Sequence, residues 1–287
     1  MEISPDSRTL YVMGTTGVSV IDTSTFAITR SLAISTPRGI TLSADGAKLY
    51  VTQTANTQTA YIYTYDTVSF ARTIISLPSW SGNIGDCTTN SANTKLYVTR
   101  KFLKPPSWST ELLILNLPTG SIKKQFELYT NEILSLTTDR GKNVAYGITY
   151  TANFDKRIDL INDTLLPNTP LLPSQSRNIG FHQQRSLAYV TCRTDLAIYN
   201  LTSNTITGLY SGFNDCYDIA CHPSQELACV TDYDLNTVTI LDTTGQSLKL
   251  KHTLTGFHRP LSILASPDGA YMYVINSSTS TLSVISI

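Results

Sequence analysis

The chain of 287 residues has no long apolar run, no excess of either charge and few of the residues that bind metals. No apolar segment approaches the roughly 18 residues of a membrane-spanning helix, so we expect no membrane span. Lysine plus arginine and aspartate plus glutamate number 21 each. A neutral chain of this kind argues against nucleic acid as the main partner.

The short motifs of several large enzyme classes are also absent. The sequence contains no Gly-x-Ser-x-Gly elbow, no Walker phosphate loop, no Gly-x-Gly-x-x-Gly fingerprint after a strand and no Cys-x-x-Cys pair. The five cysteines are odd in number and none has metal-ligand spacing. We therefore interpret them as small, buried hydrophobic residues. A serine triad has no support, because only four histidines are present and none has an evident partner.

A repeated unit of turn and strand is what the sequence does contain. It is clearest at residues 266–276, where Ser-Pro-Asp-Gly precedes Ala-Tyr-Met-Tyr-Val-Ile-Asn. Proline and glycine favour the turn, and the alternating Tyr, Val and Ile residues favour a half-buried strand. Copies of this unit begin at Ser4, Ser43, Asn90, Thr138, His182, His222 and Ser266.

The spacing of these copies predicts the fold. They are separated by 39, 47, 48, 44, 40 and 44 residues, and a second apolar strand follows each copy. In six of the seven repeats that strand ends in Asp or Asn, which can open a turn by bonding its own backbone. No stretch shows helical periodicity. The pattern predicts an all-β, seven-bladed β-propeller with blades of mostly four antiparallel strands, as a single domain over residues 1–287.

Four local features refine this prediction. Met1 lies just before the first turn, so the innermost strand of blade one should be short. Residues 100–108 are an insertion between the second and third strands of blade three. Pro167 interrupts the fourth strand of blade four, because proline cannot donate to a strand ladder. Ile287 falls on the third strand of blade seven, which we therefore expect to be three-stranded.

The second strands carry a resemblance to a known family. The segments Lys-Leu-Tyr-Val-Thr-Gln at 48–53 and Lys-Leu-Tyr-Val-Thr-Arg at 95–100 resemble the YVTN-repeat family of β-propellers, and the following Val-Ile-Asp strand is similar too. The resemblance extends over essentially the whole chain. It implies a propeller, but that family includes surface-layer proteins, binding modules and relatives of propeller lactonases, so it implies no single function.

Propeller geometry predicts where a binding site would lie. Loops that enter the innermost strands and loops that join strands two and three share one face, around the mouth of the central channel. We call this predicted surface the funnel face. Polar and aromatic side chains from different blades should converge there. The candidate ligand-binding residues are Arg38, Asn83, Trp108, Arg177, Asn178, Asp215, Tyr217, Tyr233 and Arg259.

Three functions fit these residues. The leading hypothesis is a noncatalytic module that binds a small molecule, a glycan or a protein on the funnel face. The second is an enzyme of the lactonase, hydrolase or cyclase type, and the third is a structural surface-repeat domain. An enzyme would use carboxyl groups with pKa values shifted by burial, together with a histidine. Its candidate catalytic residues are Asp86, Glu132, Asp218 and His258.

A cofactor and a cellular location are weaker predictions. Asp86, Glu132, Asn178 and Asp218 have the oxygen ligands that Ca²⁺ prefers, and by residue type they resemble the centre of calcium-dependent propeller lactonases. We nevertheless assign no metal site. Low charge and abundant Ser, Thr, Asn and Tyr favour an extracellular, periplasmic or cell-surface monomer. Three Asn-x-Ser/Thr sequons occur, at Asn162, Asn200 and Asn276, but chance accounts for them, because Asn ends strands and Thr and Ser are common here.

Overall fold

The computed structural model describes residues 1–56, 59–77, 82–104, 107–128, 133–139, 142–149, 156–167, 173 and 175–287. These residues form strands and turns, with no helix among them. The chain divides into two compact units. Unit 1 comprises residues 1–147 and 156–167, and unit 2 comprises the remaining residues.

Unit 1 contains blades one to four, each a four-stranded antiparallel sheet, apart from the last two residues of β14. The strands of blades one and two are β1 (Glu2–Ile3), β2 (Thr9–Gly14), β3 (Gly17–Asp22), β4 (Ile28–Ala33), β5 (Pro37–Leu42), β6 (Lys48–Asn56), β7 (Thr59–Asp66) and β8 (Arg72–Leu77). Those of blades three and four are β9 (Asn83–Thr89), β10 (Lys95–Lys104), β11 (Ser107–Asn116), β12 (Ile122–Glu127), β13 (Ile133–Asp139), β14 (Val144–Thr149), β15 (Lys156–Asp159) and β16 (Thr164–Leu165).

Unit 2 contains blades five to seven, and the last of these has three strands. The strands of blades five and six are β17 (Ser176–Phe181), β18 (Leu187–Cys192), β19 (Asp195–Asn200), β20 (Thr205–Ser211), β21 (Cys216–Cys221), β22 (Leu227–Asp232), β23 (Thr237–Asp242) and β24 (Lys249–Leu254). Those of blade seven are β25 (Pro260–Ala265), β26 (Tyr271–Asn276) and β27 (Thr281–Ser286).

The sheets confirm the predicted fold class, including the three-stranded last blade. β1 has only two residues, as the position of Met1 predicted, and β16 is equally short and ends before Pro167. The insertion of blade three extends a hairpin: β10 and β11 stay paired out to Leu103 with Trp108 and Lys104 with Ser107. Residues 105 and 106 lie outside the described part of the chain.

Alternation in the second strands builds the core inside each unit. In β6, Leu49 and Val51 pack toward blade one, whereas Tyr50 packs toward blade three. Both faces of this strand are therefore buried, because side chains alternate across a strand. In unit 2, Phe213 lies before β21 and packs between blades five and six, and Phe257 lies before β25 and packs between blades six and seven. The two phenylalanines are 9% and 7% exposed, so their role is packing.

The turns between strands make the hydrogen bonds that their sequence predicts. The Oγ of Ser266 donates to Asp268 and accepts from the backbone N–H of Tyr271, and Ser43 bonds in the same way in blade two. His182 and His222 replace this serine and accept backbone N–H groups at Nδ1. At the ends of third strands, Asp22 accepts two backbone N–H groups of its own turn.

All five cysteines are free thiols, as interpreted from the sequence. Cys221 pairs with Ala228 across its hairpin, so it does not lie opposite Cys229. Burial raises the pKa of the Cys229 thiol to about 12, and it also raises the pKa values of Cys87, Cys216 and Cys221. These cysteines therefore behave as small hydrophobic residues.

Candidate functional site

Innermost strands position the candidate residues through a repeated irregularity. Where β17, β21 and β25 begin, the pairing register with the second strand shifts by one residue. A bulge of this kind redirects the side chains around it. Gln175 and Arg259 occupy the same repeat position just before the strand, and both have positive φ values, 66° and 51°. This backbone conformation belongs to the repeat and is not special to one blade.

Four of the predicted ligand-binding residues form one continuous row in unit 2. The Cζ atom of Arg177 lies 4.3 Å from the ring centroid of Tyr217, over that ring. The Tyr217 and Tyr233 rings are 5.6 Å apart with an angle of 33° between their planes. Arg259 lies over Tyr233, with its Cζ atom 5.4 Å from the ring centroid. We call these four side chains the Arg–Tyr row; they come from three blades.

A fifth predicted residue, Asp215, joins this row through an ion pair. Its Oδ1 lies 2.6 Å from Nη2 of Arg177, and the two side chains are 12% and 16% exposed. Burial raises the pKa of Asp215, while the nearby Arg177 guanidinium opposes that rise. Arg177 Nε is buried and has no hydrogen-bond partner among the described residues. The ion pair and the ring contact together hold Arg177 over Tyr217 at this end of the row.

Asp232, at the end of β22, holds the loops that carry the row. It is fully buried, and its carboxylate accepts the backbone N–H groups of Asn214, Asp215 and Leu235. The N–H of Tyr233 in turn donates to the carbonyl of Asp215 at 2.9 Å. The loop before β21 and the loop after β22 are therefore one hydrogen-bonded unit.

Sequence reasoning did not select Asp232, although a signal was present. The sixth residue of the second strand is Gln53 in blade two, Asp232 in blade six and Asn276 in blade seven. Each is polar, and each bonds the loop before the innermost strand of its own blade. The recurrence of a polar residue at the sixth position of an apolar second strand would have identified the side chains that hold these loops.

Asp218 and Asn178 form a hydrogen-bonded chain between blades. Asn178 Nδ2 donates to Asp218 Oδ1 at 2.5 Å, and Ser262 Oγ donates to Asp218 Oδ2 at 2.8 Å. The backbone N–H groups of Ile219 and Ile263 each donate to one Asp218 oxygen as well. Burial raises the pKa of Asp218 despite these bonds. Both carboxylate oxygens are thus engaged in joining blades five, six and seven.

Asp86 makes the equivalent contacts in unit 1. Its Oδ1 accepts the N–H of Cys87, and its Oδ2 accepts the N–H of Leu136 in blade four, both at 2.9 Å. Burial raises the pKa of Asp86 to about 6. In blade two the corresponding residue is Gly39, and a Cβ atom built there would lie 2.8 Å from the Cα of Asp86. Asp86 therefore also links neighbouring blades, and Gly39 leaves the space for it.

Asn83 lines a small cavity in unit 1. The cavity has a volume of about 30 Å³, and Arg100 and Thr110 also line it. Arg100 pairs with Glu111 at 2.5 Å, and the Thr110 hydroxyl, in a residue only 1% exposed, has no partner among the described residues. A cavity of this volume has room for one or two water molecules. It is too small for a sugar ring or a peptide side chain.

The remaining candidates are not brought into a described cluster. Arg38 and His258 are exposed, and His258 forms hydrogen bonds with Asn276 and Ser278 through its backbone N–H and carbonyl. Trp108 pairs with Leu103 in the hairpin, and its side chain lies outside the described part of the structure. Glu132 also lies outside the described residues. The catalytic assignments of Asp86, Glu132, Asp218 and His258 stay predictions.

The described residues contain neither a cluster of metal ligands nor a membrane-spanning helix. No group of three or more His, Cys, Asp or Glu side chains within them is placed to hold a metal ion. Among the same residues, no helix is long and apolar enough to cross a membrane.

No protein-family model matches the sequence, and no curated protein matches it. Membership of the YVTN family accordingly stays a prediction. Similarity is found among solved structures. Hydrazine synthase of Kuenenia stuttgartiensis superimposes with a TM-score of 0.80 at 16% identity, over 99% of this chain and 94% of that chain.

Two other solved structures are similar at lower identity. A chain of the mitotic checkpoint complex has a TM-score of 0.81 at 13% identity and covers 99% of this chain and 88% of its own. The WD40 repeats of RRP9 have a TM-score of 0.78 at 10% identity, with 96% and 86% covered. At such low identity the likeness shows architecture alone. Together with the seven sheets, it establishes that this chain has the seven-bladed β-propeller fold.

Proposed function

We propose that this propeller is a noncatalytic module that binds a protein partner through the Arg–Tyr row of unit 2. The row is the observation that supports this function. It places two guanidinium groups and two tyrosines, residue types enriched at the centres of protein interfaces, in one contact series. The Arg177–Asp215 ion pair and the hydrogen bonds of buried Asp232 hold the row in place.

The structural neighbours are consistent with this proposal. One of them is a chain of the mitotic checkpoint complex, and another consists of WD40 repeats. Propellers of this architecture commonly mediate partner binding, although fold by itself does not assign a function. The partner of this chain is therefore argued from its own side chains and not from those of its neighbours.

The enzymatic alternative has less support from the described residues. An acid–base catalyst needs a carboxyl oxygen that can reach a substrate proton. Both oxygens of Asp86 and both oxygens of Asp218 accept hydrogen bonds from the chain itself. Their raised pKa values follow from burial at blade junctions, which is sufficient to explain the shifts without catalysis.

Selection of random peptides displayed on phage, with the whole chain as bait, tests the proposed function. Tyr233→Ala removes one ring of the row. Tyr271→Ala is the matched control, because Tyr271 is 36% exposed and lies at the start of β26, whereas the loop that bears Arg259 bonds the other end of that strand. We expect enriched peptides to lose binding by about tenfold or more with Tyr233→Ala. Binding to Tyr271→Ala should be unchanged.

Two outcomes would contradict the proposal. One is the absence of any peptide whose binding depends on Tyr233. The other is an equal loss of binding with both variants when both are folded, because the peptide would then not bind specifically at the row. Circular dichroism of each variant shows whether the fold is kept. A structural surface-repeat domain, the third hypothesis, predicts the first of these outcomes.

A further inference from the structure

The two arginines of the Arg–Tyr row differ in what they contact. Arg177 is largely buried and its charge is neutralised by Asp215. Arg259 is exposed, and no carboxylate among the described residues lies within ion-pair distance of it. The outer end of the row therefore presents an unpaired positive charge. Unpaired arginines are common on protein surfaces, so an unpaired charge alone does not identify a binding group. The contacts that orient Arg259 are the further evidence.

The structure holds Arg259 on three sides. Its backbone N–H donates to Oδ1 of Asn236 at 2.7 Å, and its carbonyl accepts the N–H and the hydroxyl of Ser277 at 3.0 and 2.8 Å. Its guanidinium lies over the ring of Tyr233. A side chain ordered in this way loses less conformational entropy when it binds. Arginine also offers a planar set of donors that fits carboxylate groups.

The charges around the row favour an anionic partner. Arg177 and Asp215 neutralise each other, and the carboxylate of Asp232 is satisfied by backbone N–H groups. The exposed residues Arg193 and Asp234 both act on Asp215 electrostatically and have opposite charges, so Arg259 adds one positive charge that these groups do not balance. The surface around the row thus has a small excess of positive charge, on a chain with no net charge.

The two rings of the row are half-buried, whereas Arg259 is exposed. Arg177 covers a face of Tyr217, Arg259 covers a face of Tyr233, and the two rings contact each other. A sugar or a base that stacked on either of those faces would displace an arginine. The groups that remain available are the N–H donors of Arg259, which suit a carboxylate better than a sugar.

From these observations we infer that the partner binds through an acidic peptide segment, with a Glu or Asp carboxylate accepting hydrogen bonds from Arg259. This inference rests on the proposed function and specifies the partner that the Arg–Tyr row recognises. The selected segment should carry an excess of acidic residues. Its binding should weaken at high salt, because exposed charges are screened.

The test continues the random-peptide selection with synthetic, fluorescein-labelled copies of the enriched peptides. Fluorescence anisotropy measures their binding to wild type, to Arg259→Gln and to Lys251→Gln. Lys251 is the control, since it is an exposed cation on β24 and its loss changes the net charge equally. Each peptide is compared with a copy in which Gln replaces every Glu and Asn replaces every Asp.

We expect the Gln/Asn copies to bind about tenfold or more weakly than the acidic peptides, and Arg259→Gln to cause a similar loss. Lys251→Gln should have little effect. Enriched peptides that depend on Tyr233 but show no acidic excess, and bind Arg259→Gln normally, would overturn the acidic segment and leave the proposed function standing. Phosphoserine copies that bind more than tenfold tighter than the Glu peptides would overturn it in favour of phosphopeptides.

Discussion

The substitution Asp86→Asn removes the ionisable charge of this side chain and nearly keeps its shape. Burial raises the pKa of Asp86 to about 6, from an ordinary value of 3.8. The carboxyl group therefore holds its proton more tightly in the folded chain than in the unfolded chain. By linkage, its contribution to the free energy of unfolding is greatest at low pH and falls as the pH rises from about 4 to about 6. At neutral pH, ionised Asp86 therefore destabilises the folded chain.

The two pKa values set the size of the effect. Between pH 4.5 and pH 7.0, ionisation of this one group lowers the free energy of unfolding of wild type by about 2 kcal/mol. Asp86→Asn cannot ionise, so it lacks this decrease. Asparagine has one acceptor oxygen, so the variant also loses a hydrogen bond from Cys87 or Leu136, but that loss does not depend on pH. The stability of the variant relative to wild type should thus rise by about 2 kcal/mol over this range.

Urea unfolding followed by far-UV circular dichroism measures this difference at pH 4.5, 5.5, 6.0 and 7.0, with refolding checked at each pH. Asp45→Asn is the control. A hydrogen bond from Ser43 lowers the pKa of Asp45, so its ionisation is complete below this range and its variant should show no such rise. A difference between Asp86→Asn and wild type that stays constant, or falls as the pH rises, would refute the reasoning.

Three other perturbations have definite expected outcomes. Gly39→Ala should lower the free energy of unfolding by about 1–3 kcal/mol in urea titrations, because its Cβ would lie 2.8 Å from the Cα of Asp86. Asp163→Ala should reduce the stability of blade four by about 3 kcal/mol, seen as a lower Tm, since Lys95 and Lys123 each lie 2.7 Å from that carboxylate. The buried thiols should react with Ellman's reagent only in denaturant, and rapid reaction of more than one thiol in the native chain would contradict their burial.

The fold was largely predictable because its determinants are local. A turn followed by an alternating strand recurs in every blade, and turn residues such as Pro, Gly, Ser and Asn in most copies, with β-branched and aromatic residues after them, favour this local conformation. The burial of the second strands was not predicted: alternation favoured a half-buried strand, but Leu49 and Val51 are buried on one face of β6 and Tyr50 on the other. The end of the last blade, by contrast, was readable, because Ile287 follows directly on the third strand.

The site was predictable only in part. Arg177, Tyr217, Tyr233 and Arg259 come from loops that the repeat register placed on one predicted face, and the structure brings them into contact. Sequence could not show which groups bond one another, because those bonds join residues tens of positions apart. Asn276 illustrates the limit: it begins a sequon, but its side chain is buried and donates to Thr281 and Ser283.

Variation at one repeat position explains why polar residues in a propeller are hard to interpret from sequence. At the position of Asp218, blades two, three, five and seven have Gly39, Asp86, Asn178 and Ser262, and the polar members of this set resemble metal ligands or catalytic groups. In the structure each residue matches its neighbour: Asn178 and Ser262 donate to Asp218, and Gly39 leaves room for Asp86. The residue types therefore vary because each one must complement the next blade. A position whose variation is explained in this way needs no ligand. Arg259, for which no ion-pair partner lies among the described residues, is the position at which we propose that the partner binds.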